Sequence, residues 1–337
     1  MDLRILEFLG SSFYSISAVN SISAIATAPK NSKIKKSVNP KIFICLIFKE
    51  KQLKRLQLFC VPYLRGVGQI MLQNNALTGL LFLLGIFYNS VVMGIAALLA
   101  VITGTLTAKI AGYNQEEIND GLYGFSAALV GVALTFYFKP LPVIWVAVVV
   151  GSVLAAMIQH FFIVKKMPGF TFPFIVVTWL CLYLFHQVIV VSGPDAVAAG
   201  TPVNDAFNLV AHGFGEVIFQ GSVVTGILFF IAVFINSPVA ALYGVAGAVL
   251  SAFIALQLGA APENISIGLF SFNAVLCAIT FQGNKSLDGI FVFLAVVLSV
   301  LINVAMVKLN YTVLTFPFVA ASWITLGVKQ MMKVRVS

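Results

Sequence analysis

The chain repeats itself, and this internal repeat constrains its fold more than any other feature. Four groups of residues recur at one constant offset, without a gap: Gly68-Gln-Ile-Met-Leu-Gln73 with Gly215-Glu-Val-Ile-Phe-Gln220, Thr78-Gly79 with Thr225-Gly226, Asn89-Ser90 with Asn236-Ser237, and Gly121-Leu-Tyr-Gly-Phe125 with Gly268-Leu-Phe-Ser-Phe272. After a small change of offset, Phe170-Thr-Phe-Pro-Phe174 recurs as Leu314-Thr-Phe-Pro-Phe318. Chance similarity between apolar segments would not keep Gly, Asn, Thr and Pro in register. We therefore expect two copies of one structural unit.

Each copy of the repeat contains five apolar segments. They lie near residues 68–88, 90–110, 121–138, 142–164 and 170–192 in the first copy, and near 215–235, 238–260, 268–283, 290–308 and 313–330 in the second. The chain is 60% apolar and 9% charged, whereas soluble domains are roughly 45–50% apolar and about 25% charged. These segments predict an all-α polytopic membrane protein with two repeats of about five transmembrane helices each.

An odd number of spans in each copy determines how the two copies are oriented. Five crossings leave the chain on the opposite face, so the second copy is inverted relative to the first, with a site near the midplane between them. The basic residues that fall on the side of the N-terminal segment are Lys165, Lys166, Lys329, Lys333 and Arg335. The loop at 193–213, which carries Asp195 and Asp205, falls opposite. Both termini are therefore predicted to be cytoplasmic.

Three further boundaries complete the predicted organisation of the repeat. We assign residues 57–195 to the first transmembrane repeat, 196–214 to a linker loop and 215–337 to the second repeat. Segments 68–88 and 121–138, like their partners, are short or interrupted by glycine. Such segments are candidates for re-entrant pore helices, because irregular backbone at membrane depth is tolerated where it lines a pathway.

Residues 1–56 differ from the rest of the chain. Ten of the twenty basic residues but only three acidic ones lie before Cys60, so this stretch carries +7 of the net charge of +9. Because the charge is confined there, it gives no reason to expect a nucleic acid partner. We interpret 1–56 as a disordered basic tail or as an extension outside the functional fold. Four cysteines and three histidines without paired or metal-binding spacing predict no disulfide framework, metal site or cofactor.

Polar residues inside apolar segments mark the candidate pathway. Gln69 and Glu216 occupy the same position in the two copies, and a charge at the bilayer centre costs about 2.5–3.5 kcal/mol on insertion scales. We favour a matched pair of acceptors that line a pore over hydrogen bonds that merely set helix packing. No nucleotide-binding or hydrolytic motif is present, so the chain is not predicted to be an enzyme.

Two other matched sets have weaker support from their chemistry alone. Thr171 and Thr315 each lie two residues before a proline that frees backbone carbonyls, so the hydroxyls either join a line of acceptors or bond back to their own helices. Phe125 and Phe272, with Leu129 and Leu276 one turn later, place an aromatic and an aliphatic side chain on one helical face. For these phenylalanines and leucines, packing within the protein is the default interpretation.

Three motifs give the chain a family resemblance from about Leu58 to the C-terminus. They are Pro168-x-x-Thr171-x-Pro173-Phe174, Gly68-Gln69-Ile70-x-x-Gln73-Asn74-Asn75, and Asp120-Gly-Leu-Tyr-Gly-Phe125 followed by Ala128-Leu129-Val130-Gly131. In these motifs the sequence resembles the urea transporter family, whose members are passive urea channels, and in particular its bacterial type. Two positions depart from the family pattern: Thr312 replaces a leading proline, and Leu72 stands where an aromatic residue is common.

The resemblance implies a multi-pass protein of the bacterial inner or plasma membrane that forms a homotrimer with one pore per subunit. It implies ten membrane helices and two re-entrant helices in each subunit. It further implies a flat aromatic slot with a ladder of oxygen acceptors. Carried over by position, the pore-lining residues are Gln69, Ile70, Leu72, Phe125, Leu129 and Thr171 in the first half, and Glu216, Val217, Phe219, Phe272, Leu276 and Thr315 in the second.

The resulting hypothesis is passive, selective passage of urea down its gradient. Urea is planar, neutral and strongly polar, so aromatic walls suit its faces and a row of acceptors suits its N–H groups as water leaves. The alternative is a proton- or ion-coupled carrier of a small amide or cation, with Glu216 as the protonatable site. A membrane scaffold without transport activity is the third possibility.

Overall fold

The structure, a computed structural model, describes residues 59–189, 191 and 206–336. Apart from residues 59–61, the fold described below belongs to one compact unit, Pro62–Ser337. Within the described ranges every regular element is a helix. The prediction of an all-α polytopic membrane protein is therefore confirmed. The N-terminal extension 1–56 and most of the 193–213 loop lie outside the described residues.

The helices of the two copies follow one another in the same order. The first series is α1 (59–68) with a 3-10 turn (Gln69–Met71), α2 (Ala76–Asn89), α3 (Val91–Ile110), α4 (Gln115–Asn119), α5 (Phe125–Tyr137), α6 (Pro142–Val164) and α7 (Phe172–Tyr183) with a π turn (Leu184–Val188). The second series is α8 (Ala206–Gly215) with a 3-10 turn (Glu216–Ile218), α9 (Val223–Asn236), α10 (Pro238–Gln257), α11 (Pro262–Ser266), α12 (Phe272–Phe281), α13 (Ser286–Lys308) and α14 (Phe316–Val336).

Four helices in the described part of the chain are long and apolar enough to cross a membrane: α3, α6, α10 and α13. By contrast, α5 and α12 have 13 and 10 residues. At about 1.5 Å per residue they reach only about 20 Å and 15 Å, well short of a hydrocarbon core of about 30 Å. The predicted segments 121–138 and 268–283 thus contain short helices.

The predicted segments 68–88 and 215–235 are broken. The helical stretch Phe59–Met71 meets α2 at 75°, and Phe207–Ile218 meets α9 at 80°. At each break one residue adopts a left-handed conformation, Leu72 with φ 58° and Phe219 with φ 59°, which ends the helical hydrogen-bond pattern. Each apolar segment therefore begins with the bend of a longer, broken element.

One predicted boundary differs from the structure. Residues 196–214 were expected to form a linker loop, but α8 occupies Ala206–Gly215. This helix corresponds to α1, which also precedes the first broken turn. Polar residues interrupt the apolar pattern of α8, namely Asn208 and His212, and its glycines lower its helical propensity. The sequence pattern therefore concealed a helix that tertiary packing stabilises.

The two copies are joined where α2 packs against α9. The rings of Phe82 and Phe229 meet edge to face with centroids 4.9 Å apart. The Thr78 hydroxyl donates to the Ala232 carbonyl at 2.9 Å, and the Thr225 hydroxyl donates to the Gly85 carbonyl at 3.3 Å. Each threonine thus bonds the helix of the other copy, which explains why Thr78 and Thr225 recur in the repeat.

Two repeated glycines allow the broken helices to fold back on themselves. A Cβ atom at Gly79 would lie 1.7 Å from the Leu64 carbonyl oxygen, and one at Gly226 would lie 1.9 Å from the Ala211 carbonyl oxygen. These neighbours are backbone atoms, which cannot turn away as a flexible side chain does. Glycine is therefore required at both positions for this approach of α2 to α1 and of α9 to α8.

We predict that Gly79→Ala lowers the stability of the protein. The added methyl group overlaps backbone in a packed region, and overpacking of this kind costs about 1–3 kcal/mol or more. Gly327→Ala in α14 is the matched control, because a Cβ there meets no atom within 4 Å. The measurement is the thermal unfolding midpoint in detergent. Equal midpoints for the two variants would show that α1 and α2 do not pack as described.

Candidate functional site

Gln69 lies at the first broken turn and is held by the segment before α5. Its Nε2 atom donates a hydrogen bond to the Asp120 carbonyl at 2.9 Å. The Asp120 carboxylate accepts from Asn74 Nδ2 at 2.9 Å and lies 3.6 Å from Arg65 Nη1. The amide nitrogen of Gln69 is therefore committed to the protein, which leaves the amide oxygen as its available acceptor.

Glu216 lies at the second broken turn and faces a cavity of about 540 Å³. Five of the six residues predicted for the second half of the pore line this cavity: Glu216, Val217, Phe219, Phe272 and Thr315. Within the described residues no hydrogen bond or ion pair reaches the Glu216 carboxyl group. Leu276 and the six residues predicted for the first half do not line it.

The two threonines of the repeated Thr-Phe-Pro-Phe motif contact each other. Thr171 and Thr315 immediately precede α7 and α14, and their Oγ1 atoms lie 2.7 Å apart in a hydrogen bond. Both side chains are buried. The residues before them, Phe170 and Leu314, are left-handed with φ 45° and 46°. Two matching backbone turns thus bring one hydroxyl from each copy to the same point.

The remaining predicted residues divide into buried and partly open positions. Phe125 and Phe272 begin α5 and α12 and are buried. The other buried members of the predicted set are Ile70, Leu129, Val217 and Leu276. Leu72 is 38% exposed, and Phe219 is partly buried.

Three aromatic rings lie near Phe219, which lines the cavity. Its ring centroid lies 5.1 Å from that of Phe136, 6.0 Å from that of Tyr137 and 6.2 Å from that of Phe174. Phe136, Tyr137 and Tyr311 line the same cavity as Glu216. Sequence reasoning missed these three residues, because they lie at segment ends and in a loop where the repeat gives no matched pair.

Two tryptophans fix the loops that carry the motif threonines. Trp179 Nε1 donates to the Thr312 carbonyl at 2.9 Å, and Trp323 Nε1 donates to the Pro168 carbonyl at 2.8 Å. Each tryptophan therefore holds the loop of the other copy. Trp179 and Trp323 correspond at the same offset as Thr171 and Thr315, which was a signal for a shared role, but the sequence did not indicate their reciprocal contacts.

One asparagine anchors the first broken turn to the second copy. Asn236 Nδ2 donates to Gln73 Oε1 at 2.7 Å, and Asn75 Nδ2 donates to Asn236 Oδ1 at 3.0 Å. The corresponding atom in the second copy, Gln220 Oε1, is buried and has no partner in the described part of the chain. The two broken turns therefore differ in whether the glutamine amide oxygen is bonded to the other copy.

Comparison with known proteins identifies the family. A family model described as urea transporter matches residues 60–330, which is most of the chain. The chain belongs to the urea transporter family. The resemblance found in the three sequence motifs is thereby confirmed, and the family is one of transporters rather than enzymes.

The curated relatives of this urea transporter family member are distant. It is 25% identical to "Urea transporter 1" of Rattus norvegicus over 239 residues, and 26% identical to "Urea transporter 1" of Ovis aries over 239 residues. Each match covers 65% of this chain and 62% of the relative. The matched region thus spans less than two thirds of the length of these relatives.

We predict that Asn236→Ala destabilises the protein, because it leaves the buried Gln73 Oε1 without its donor. An unsatisfied buried group costs about 1–3 kcal/mol. Asn89→Ala is the matched control: Asn89 is the corresponding residue of the first copy and is exposed like Asn236, but its side chain makes no hydrogen bond within the described residues. The thermal unfolding midpoint should fall for Asn236→Ala and change little for Asn89→Ala. Identical midpoints would contradict the anchoring role of Asn236.

Proposed function

We propose that the protein is a passive, selective channel that conducts urea down its gradient across the cell membrane. The observation that carries the proposal is the contact between Thr171 and Thr315, 2.7 Å apart at the junction of the two copies. Gln69 and Glu216, which occupy the same position in the repeat, would provide acceptors at the two ends of the pathway. Family membership supports urea as the substrate.

The threonine pair suits the passage of a molecule that both donates and accepts hydrogen bonds. A hydroxyl group is a donor and an acceptor, so each threonine can exchange its bond to the other for a bond to urea. The exchange leaves no hydroxyl unsatisfied while urea passes, so its net cost is small. The buried side chains of Leu129 and Leu276 would keep this part of the pathway poor in water.

The arrangement in the membrane follows from the same proposal. The odd number of predicted spans and the distribution of lysines support inverted repeats, a midplane site and cytoplasmic termini. We further propose one pore per subunit, a homotrimer in the lipid bilayer of the bacterial inner or plasma membrane, and a first transmembrane repeat that spans residues 57–195.

A coupled carrier is the second candidate function. The observation that favours it is the Glu216 carboxyl group, which faces the cavity without a partner among the described residues. A protonatable group in that position is what a proton-coupled carrier of a small amide would use. The two functions differ in one measurable respect: a proton gradient would drive accumulation of the substrate by a carrier but not by a channel.

The first prediction on transport concerns direction. Urea flux into proteoliposomes, measured by stopped-flow light scattering, should follow the urea gradient equally in both directions, because the pathway contains no recognised coupling to an energy source. Liposomes without protein are the control. Accumulation of urea above equilibrium when a proton or sodium gradient is imposed would favour the carrier.

The second prediction on transport compares substitutions of Glu216 and Gln69, at the two ends of the proposed pathway. Glu216→Gln keeps an acceptor oxygen and the shape of the side chain, whereas Glu216→Leu removes the acceptor. Flux should therefore be higher for Glu216→Gln than for Glu216→Leu, and higher for Gln69→Glu than for Gln69→Leu. Flux is compared at matched amounts of folded protein. Leucine variants that conduct like the parent would mean that both residues are structural.

The third prediction concerns the threonine contact. Thr171→Val or Thr315→Val removes one hydroxyl at nearly constant volume, which leaves a urea N–H or the remaining hydroxyl unsatisfied at about 1–3 kcal/mol. Urea flux should fall roughly tenfold or more, whereas Thr171→Ser and Thr315→Ser should retain it better. If valine and serine variants conduct equally, the pathway does not pass between these hydroxyls.

A further inference from the structure

The cavity at the Glu216 end combines aromatic walls with an acid that has no hydrogen bond or ion pair to any described residue. Among the described residues that line it, Glu216 is the one acidic residue, and none is a lysine or an arginine. Phe136, Tyr137 and Phe219 supply rings whose centroids lie 5.1 to 6.0 Å apart. A carboxylate beside aromatic faces is the arrangement that binds cations, through charge and through the ring quadrupoles.

The other end of the pathway has a different composition at the corresponding positions. Gln69 corresponds to Glu216, and Leu72 to Phe219. At the offset that relates Phe170–Phe174 to Leu314–Phe318, Lys166 corresponds to Asn310. Both residues have a left-handed backbone conformation, with φ 55° and 57°. The first copy thus has a neutral amide, an aliphatic side chain and a cation where the second has an acid, an aromatic ring and a neutral amide.

We propose that the Glu216 cavity is a binding site for planar guanidinium-type cations, which enter from that end and block urea passage. The blocking step rests on the proposed channel function, whereas the binding step does not. Guanidinium has the flat shape of urea with N–H groups along its edges. It can therefore lie against Phe219 while it donates two parallel hydrogen bonds to the Glu216 carboxylate.

The same chemistry explains why guanidinium is preferred over ammonium. Guanidinium is weakly hydrated and stacks on aromatic rings, whereas an ammonium ion is a compact, strongly hydrated charge. The cavity has room for the planar cation, at about 540 Å³. Thr315, one of the residues that line the cavity, is buried and contacts the buried Thr171. A charge at that depth costs about 2.5–3.5 kcal/mol or more, so the cation binds at the mouth and does not pass.

The test measures urea flux in sealed, oriented membrane vesicles with guanidinium chloride on one side. Sodium chloride holds the ionic strength constant, and ammonium chloride at equal concentration is the control cation. At about pH 8 guanidinium remains fully charged. We expect block from one side only, at a concentration about tenfold lower than for ammonium.

Three variants locate the site, each normalised to its own flux without guanidinium. Glu216→Gln should raise the half-blocking concentration about tenfold, since it removes the charge. Phe219→Leu introduces the residue found at the corresponding position, Leu72, and should raise the half-blocking concentration by a smaller factor. Gln69→Glu should create a second, weaker block from the opposite side. Equal block from both sides in the parent protein, or block unchanged in Glu216→Gln, would overturn the proposal.

Binding is measured separately by isothermal titration calorimetry of guanidinium chloride into the purified protein. Heat of binding in the parent protein, and its loss in Glu216→Gln, would support the cation site. If this binding is observed but no urea flux is detected, only the channel function fails. Urea flux without guanidinium binding or block would reject the cation site and leave the channel function standing.

Discussion

A helix that breaks inside a membrane must find partners within the protein for the backbone groups that it frees. Both broken turns meet this requirement in the same way. Gln73 Nε2 donates to the Met71 carbonyl and Gln220 Nε2 donates to the Ile218 carbonyl, each at 2.7 Å. The backbone N–H groups of these two glutamines bond back to Gly68 and Gly215 at 3.1 Å. These bonds allow Gln69 and Glu216 to lie at a bend, where a side chain can face a pathway.

The same constraint explains the close packing around the bends. The 75° and 80° angles bring α2 and α9 against the helices that precede them, and only glycine fits at the contact points. The reciprocal bonds of Thr78 and Thr225 then join α2 to α9. Packing of the two copies and the position of the candidate pathway therefore depend on the breaks themselves.

The two ends of the proposed pathway are not equivalent, although the backbone repeats. Arg65 and Asp120 form an ion pair beside Gln69, whereas the residue that corresponds to Arg65 is His212, whose Nδ1 atom is buried without a partner among the described residues. At that second end, Glu216 faces aromatic side chains instead of a charged network. The two broken turns thus have chemically different surroundings on a repeated scaffold, and this difference is the basis of the proposed cation site.

The sequence by itself determined the fold class, the family resemblance and the matched pairs, because apolar segment length, glycine spacing and repeat register are local properties of the chain. It paired Gln69 with Glu216 and Thr171 with Thr315, but it did not indicate that the two hydroxyls touch. It also missed α8 and the rings of Phe136, Tyr137 and Tyr311. These features depend on contacts between residues far apart in the chain. Only the tertiary structure decided them, since the bends and left-handed turns set which side chains meet.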